Sequence, residues 1–503
     1  MRGINSCLSG VLLSASAAPL SSAVVPDPNR WRALIVIAIA QLMVVLDASI
    51  VNIALPTMQA DLGFDDVQRQ WVVTAYTLAF GGLLLLGGRI ADYAGRKRML
   101  IVGLLGFAGA SALGGMAVNS AMLFAARGLQ GVFAALLAPA ALSLISVTFT
   151  ESKERARAFG VYGAISGAGA AIGLVMGGVL TEFVSWHWTL WVNVPIAIMA
   201  VLLAIPFVHE SRAQGNTKYD IPGAVTATLG LVSLVYGITQ AEANGWTGQT
   251  TLGFMGLGLA LLALFIFIEM RSSHPLLPLK IIRNRNRGGA YLASFFVGIG
   301  IFSMFLFLTY FFQAVLGYSA LKSGMLFLPF SAGVIVSAGI ASQLLPRFGP
   351  RFVTFGGFIL AISGLFWFTK MAADASYVSG ILPPMILISL GMGLIFVPLS
   401  ATALYAVGDH DAGVASAVLN TSQQIGGSVG IAFLNTIATS ATAAYIVANQ
   451  LQGPTPDALV EGFTDAFGWS AIILVGAAII WVSLVNMNKK DMAKGDAANA
   501  VHI

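Results

Sequence analysis

A carboxylate in the middle of an apolar run is the first feature of this sequence with chemical content. Asp47 follows Val44, Val45 and Leu46 and is succeeded by small or apolar residues through Val51. At bilayer depth such a group costs roughly 2.5 to 3.5 kcal/mol to insert, so it must find a partner or a proton. Removal from water disfavours its charged form, which suits a group that takes up and gives back a proton. Two readings stand: a proton carrier, or a structural carboxylate capping or pairing within a helix bundle. Arg127 complements it, a guanidinium in the mid-run stretch LFAARGLQGVFAA at 123–135, with Gln130 and Gly131 within one turn. A guanidinium keeps its proton and must meet carbonyls, carboxylates or water. On the residues alone it reads as a fixed hydrogen-bonding strut between helices.

Such residues need long apolar elements to carry them. The chain has 503 residues, 57% apolar and 9% charged, where a soluble chain carries about 25% charged; a soluble enzyme is excluded. Its 56 glycines lie mostly inside apolar runs, as in transmembrane helices packed through small residues. Fourteen spans are expected, at 32–55, 71–91, 99–118, 121–147, 157–181, 188–208, 221–240, 251–270, 288–312, 323–345, 353–372, 380–403, 413–440 and 467–487. The run at 380 opens on Pro383 and Pro384, and the run at 413–440 carries many small polar residues, so both are expected to face protein or water.

With an even number of spans and both termini cytoplasmic, all of the 26 Lys and Arg except Arg69, Lys322, Lys370 and Arg127 fall on the inner side, which sets the orientation. The net charge of +5 is then loop charge and does not point to nucleic acid. Residues 1–30 loosely imitate a signal peptide, with a basic start and small residues at 15–18, but the charge distribution favours an inner tail. Cys7 is alone, the five histidines are scattered, and no GxxxxGK loop occurs. No disulfide, metal site, ATP site or other cofactor is expected.

The loop after the second span, with Gly88, Asp92, Gly95, Arg96, Lys97 and Arg98, has a counterpart after the tenth, with Gly349 matching Gly95 and basic residues following each. The two halves of the chain are therefore read as duplicates with two extra spans between them, the plan of a secondary transporter. Gly88 and Gly95 are expected to allow a tight turn, and the charges around it to form a latch that favours one arrangement of the halves; the alternative is a topology signal alone. The second copy has Pro346 where the first has Asp92. Gly163, Gly167, Gly173 and Gly177 form a small-residue stripe for sliding or close packing.

For a cargo, the ninth span is rich in phenylalanine and ends on Tyr310, Phe311, Phe312 and Gln313, while Asn420, Gln423 and Gln424 in the thirteenth would be costly facing lipid. Together with Asn52 and Gln130 they are expected to line an aromatic cavity with a few amides, suited to bulky amphipathic compounds rather than sugars.

GGRIADYAGRKR at 87–98 resembles the signature loop of the major facilitator superfamily, and LFAARGLQGVFAA the fourth-helix motif of its drug:proton antiporters. With LDASIVNIALP at 46–56 and SWHWTLWVNVP at 185–195, the whole chain resembles the fourteen-helix QacA/EmrB-like drug:proton antiporters. Ala168 and Leu174 depart from the family's fifth-helix antiporter motif, where prolines are common.

The resemblance implies an all-α integral membrane protein of the major facilitator fold. Its parts would be a cytoplasmic tail at 1–30, a six-helix bundle at 31–210, two linker helices at 211–275, a second bundle at 276–488 and a cytoplasmic tail at 489–503. It implies proton-coupled efflux of hydrophobic or amphipathic, often cationic, drugs across the plasma membrane by alternating access, with Asp47 and Arg127 as coupling residues. The alternative is a dedicated exporter of an endogenous metabolite or antibiotic, or, less consistent with the extra helices, an uptake symporter. Partners would be the small molecule, protons and the bilayer, with no nucleic acid; the sequence does not specify an adaptor protein.

Overall fold

The computed structural model describes residues 28–487 apart from 67, 150, 213–219, 273–274, 278, 406 and 408–411. The two tails, and the surroundings of Gly163 and Gly167, lie outside the described residues. The chain is a succession of helices: α1 (Arg30–Leu62), α2 (Trp71–Ala94), α3 (Arg96–Gly115), α4 (Ser120–Thr148), α5 (Ser152–Phe183), the short α6 (His187–Trp191), α7 (Asn193–Phe207), α8 (Ile221–Asn244), α9 (Gln249–Arg271), the short α10 (Leu279–Arg283), α11 (Arg285–Tyr310), α12 (Ala320–Leu326), α13 (Leu328–Phe368), α14 (Leu382–Ala403), α15 (Ala412–Ala448) and α16 (Pro456–Leu484). One π-helical turn follows α11 and another precedes α14, where Pro383 and Pro384 sit in the first turn that needs no amide donor.

Among the described residues, twelve helical stretches are long and apolar enough to cross a membrane. One of them, Ala320–Phe368, has 49 residues, about 74 Å of helix against roughly 30 Å of hydrocarbon. It folds back at Gly349, where φ is 79°, a conformation open to glycine and costly for other residues. Both arms lie on the same stretch of α14: Gly333 and Ser337 face Ser389 and Leu390 from one arm, and Gly364 and Gly357 face Ile388 and Gly391 from the other. The 32-residue α5 is also of crossing length. Among the described residues, the two arms of α13 and the length of α5 bring the number of helices of crossing length to fourteen, of which α5 carries only its second part, Gly169–Phe183, as an apolar stretch.

Gly95 turns α2 into α3 with φ 115°, so the two glycines paired by the internal repeat are the two tight turns. Gly88 does not share that turn, contrary to expectation: nothing between 88 and 94 breaks a helix, and α2 runs on to Ala94. The close approach of α2 to α4 falls instead at Gly87, where a Cβ would lie 2.0 Å from the Ala135 carbonyl oxygen.

α8 and α9 pack on each other, and α8 also packs on α2 and α15, along the seam between the halves. The end of the molecule that carries the α1–α2 loop is called distal here, and the end that carries Gly95 proximal. Among the described residues, hydrogen bonds between side chains of the first half and the second lie toward the distal end: Arg69 with Asn435, Gln59 with Tyr310 and Thr77 with Ser428.

Candidate functional site

Four helices of the first half converge on Asp47. α1 carries the carboxylate, α4 carries Arg127 and Gln130 one turn apart, α7 opens with Asn193, and α3 contributes Ser111. Arg127 Nη1 donates to Asp47 Oδ2 at 2.6 Å, and the two residues are 1% and 0% exposed. Asp47 Oδ1 accepts from Gln130 Nε2 at 2.9 Å and from Asn193 Nδ2 at 2.7 Å. Arg127 Nε also donates to the Val72 carbonyl at 2.8 Å and Nη1 to Gln130 Oε1 at 2.7 Å, and the guanidinium lies 4.6 Å above the Tyr76 ring. Gln130 also donates to Ser111 Oγ at 2.7 Å.

A carboxylate withdrawn from water this completely is tolerated because charged and neutral donors reach both of its oxygens. The cluster also has a second way to be satisfied. Asn193 Oδ1 has no hydrogen-bond partner among the described residues. With the amide turned over, that oxygen could accept from a protonated Asp47, so charged and neutral carboxyls both find a bonded arrangement.

The glycine stripe supports the same place. A Cβ at Gly173 would lie 2.0 Å from Ser49 Oγ and 2.9 Å from the Leu46 carbonyl, and one at Gly177 would lie 2.8 Å from the Ile50 carbonyl. α5 therefore presses directly on the turns of α1 that flank Asp47.

At the proximal end Arg96 pairs with Asp92 at 2.8 Å. The Glu210 carboxylate accepts from the Lys97 and Arg98 amides at 3.1 Å each, an anion at the start of α3 where unpaired amides need one. Lys97 Nζ donates to the Ile205 carbonyl at 2.7 Å, and Arg89 reaches the Pro275 carbonyl at 3.1 Å. The loop is thus clamped to its own half and to the segment after α9. The second copy repeats the device, with Arg351 donating to the Val482 carbonyl at 2.8 Å.

The expected cargo residues do not form one group. Gln130 belongs to the Asp47 cluster, Phe311 is fully buried against Phe312, and Asn52 bonds the Ala48 carbonyl of its own helix. Tyr310 donates to Gln59, and Gln313 to the Ile53 carbonyl at 2.9 Å, so both reach across to α1. Asn420 bonds the Ser416 carbonyl of its own helix, Gln423 is half-buried, and Gln424 packs its Cβ against Gly81 of α2.

The family model of the Major Facilitator Superfamily matches residues 37–431. The chain belongs to this superfamily. It is 46% identical over 490 residues to the puromycin resistance protein pur8 of Streptomyces alboniger, covering 96% of this chain and 97% of that one. It is 37% identical over 452 residues to the cephamycin export protein CmcT of Amycolatopsis lactamdurans, covering 89% and 91%. Among solved structures, a bacterial homologue of the human lysosomal transporter Spinster, inward-facing and occupied, shares the fold with a TM-score of 0.65 at 14% identity, over 92% of this chain and 98% of that one. The protein is a multi-pass membrane transporter and not an enzyme.

Within this major facilitator transporter, the sequence singled out Asp47 and Arg127, which the structure brings together, and assigned Gln130 to the cargo cavity, whereas it bonds Asp47; Asn193, Ser111, Glu210 and Asn435 were not singled out. Asn193 lay in plain view in SWHWTLWVNVP, and its amide at the start of a helix was the available signal.

Proposed function

We propose that the protein exports an amphipathic small molecule of the antibiotic class across the plasma membrane, driven by proton entry through the Asp47–Arg127 cluster. The observation that carries this reading is a fully buried carboxylate that one guanidinium and two amides hold, one of those amides with a spare acceptor. Such a site can exist charged or neutral, and Arg127 can displace the proton by closing on the carboxylate. One charge moving across 100 mV supplies about 2.3 kcal/mol, enough for roughly a 50-fold gradient of a neutral cargo. The distal end, joined across the halves, is the outer side in this reading, and the arrangement seen is closed outward. The names of the two relatives support export of an antibiotic. They also favour, as a second reading, a narrow range of cargo over a broad multidrug spectrum.

Uptake of labelled puromycin into cells lacking other exporters tests the assignment. Expression should lower accumulation, a protonophore should restore it, and Asp47→Asn should behave like the empty vector. Low accumulation that survives the protonophore would exclude proton drive.

A further inference from the structure

A second buried cation lies at the distal end, and the motifs of the sequence do not account for it. Arg69, in the α1–α2 loop, is 2% exposed. Its Nε donates to Asn435 Oδ1 of α15 at 3.1 Å, its Nη1 reaches Asp66 Oδ1 at 3.2 Å, and its guanidinium lies 4.2 Å over the Tyr310 ring of α11. The set closes on itself: Asn435 Nδ2 donates to the Asp66 carbonyl at 3.0 Å, Gln59 Nε2 to Asp66 Oδ1 at 2.8 Å, and Tyr310 to Gln59. A cation of the first half is thus held by an amide and a ring of the second, so the halves cannot separate at this end without breaking these contacts.

The same stretch of chain touches the Asp47 cluster. The Arg69 carbonyl accepts from the Val72 amide at 3.3 Å, and the Val72 carbonyl accepts from Arg127. One turn further along α2, Tyr76 lies under the Arg127 guanidinium. Arg69, Val72 and Tyr76 follow each other at helical spacing, so a displacement of the first turn of α2 moves the gate and the anchor of Arg127 together. The charged and titratable groups at the two ends are Arg127 and Tyr76 facing Asp47, and Asp66 and Tyr310 facing Arg69. Gln130, Asn193 and Asn435 are the neutral partners from α4, α7 and α15.

The geometry points to Arg69 as the bolt of the distal gate, and to the first turn of α2 as the part that ties this gate to the Asp47–Arg127 pair. The tie rests on the proton-coupling reading above; the bolt does not. Opening the gate draws the Val72 carbonyl away from Arg127 and loosens its hold on Asp47, which then accepts a proton. Closure restores the hold and expels the proton. By reciprocity, loss of the Asp47 charge favours the open gate. Arg69 is a positioning residue in this cycle, since it touches neither proton nor cargo.

The test is the distance between spin labels at Val118→Cys and Val447→Cys, both exposed and distal, in a Cys7→Ser background. Arg69→Ala and Asn435→Ala should each raise the ratio of long to short distances at least about fivefold, with Arg69→Lys between them and the native chain. Asp47→Asn should raise the ratio about fivefold with Arg69 present and less than about twofold with Arg69→Ala. If Arg69→Ala fails to fold, Asn435→Ala carries the same comparison. Unchanged distances in Arg69→Ala and Asn435→Ala would overturn the bolt, and an equal effect of Asp47→Asn in both backgrounds would overturn the tie. Proton flux retained in Asp47→Asn would instead remove the coupling reading, leaving the bolt to be decided by the distances alone.

Discussion

Arg127 Nη1 and Asp47 Oδ2 meet at 2.6 Å between two helices of the same half, with neither side chain open to solvent. The pair does not bridge the halves, so a change in its charge reaches the second half only by displacing helices. On the proposed reading of this pair as the proton site, proton uptake and release lie in the first half, apart from the contacts that join the halves.

Arg127→Gln should leave a buried carboxylate held only by amides. A loss of about 3–5 kcal/mol is expected, as when one partner of a buried pair is removed, and is read as a lowered melting temperature in detergent. Adding Asp47→Asn removes the stranded charge and should recover much of the loss. A double variant no more stable than Arg127→Gln would show that the pair is not the source of the effect.

The sequence made much of this legible, for physical reasons that differ from residue to residue. Asp47 and Arg127 stood out because a charge at bilayer depth is costly enough to be rare. Gly95 and Gly349 stood out because a repeated turn needs a repeated glycine. Asn193 did not, since an amide at the start of a span costs little, and Glu210 has no local pattern that ties it to the Lys97 and Arg98 amides, 113 and 112 positions away. The Arg69–Asn435 contact joins residues 366 positions apart, with no local pattern to announce it. Tyr310 and Gln313 were expected to line a cavity, but their residue types do not reveal that both bond across to α1.

Gly173→Ala should press its new methyl on Ser49 Oγ and the Leu46 carbonyl, 2.0 and 2.9 Å from the added carbon. Overpacking of this kind costs about 1–3 kcal/mol. Ser49→Ala in the same chain should recover part of it, since the nearer obstacle is then gone. Equal melting temperatures for Gly173→Ala and the native protein would contradict the close approach of α5 to α1.

Glu210→Gln weakens the anion at the first turn of α3, an effect of about 0.5–2 kcal/mol for a helix start. Asp92→Asn removes the charge opposite Arg96. Both should slow turnover at unchanged cargo preference, measured as initial rates for several compounds in vesicles. A changed order of preference would mean that the loop contacts cargo and is not a latch.

The most direct test is cargo-dependent proton movement in inside-out vesicles loaded with a pH dye, across a panel of lipophilic amines and neutral drugs, for the native protein and Asp47→Asn. Proton release from the vesicle lumen is expected with at least one compound in the native protein and with none in the folded variant. Equal proton release in both proteins would contradict coupling through Asp47.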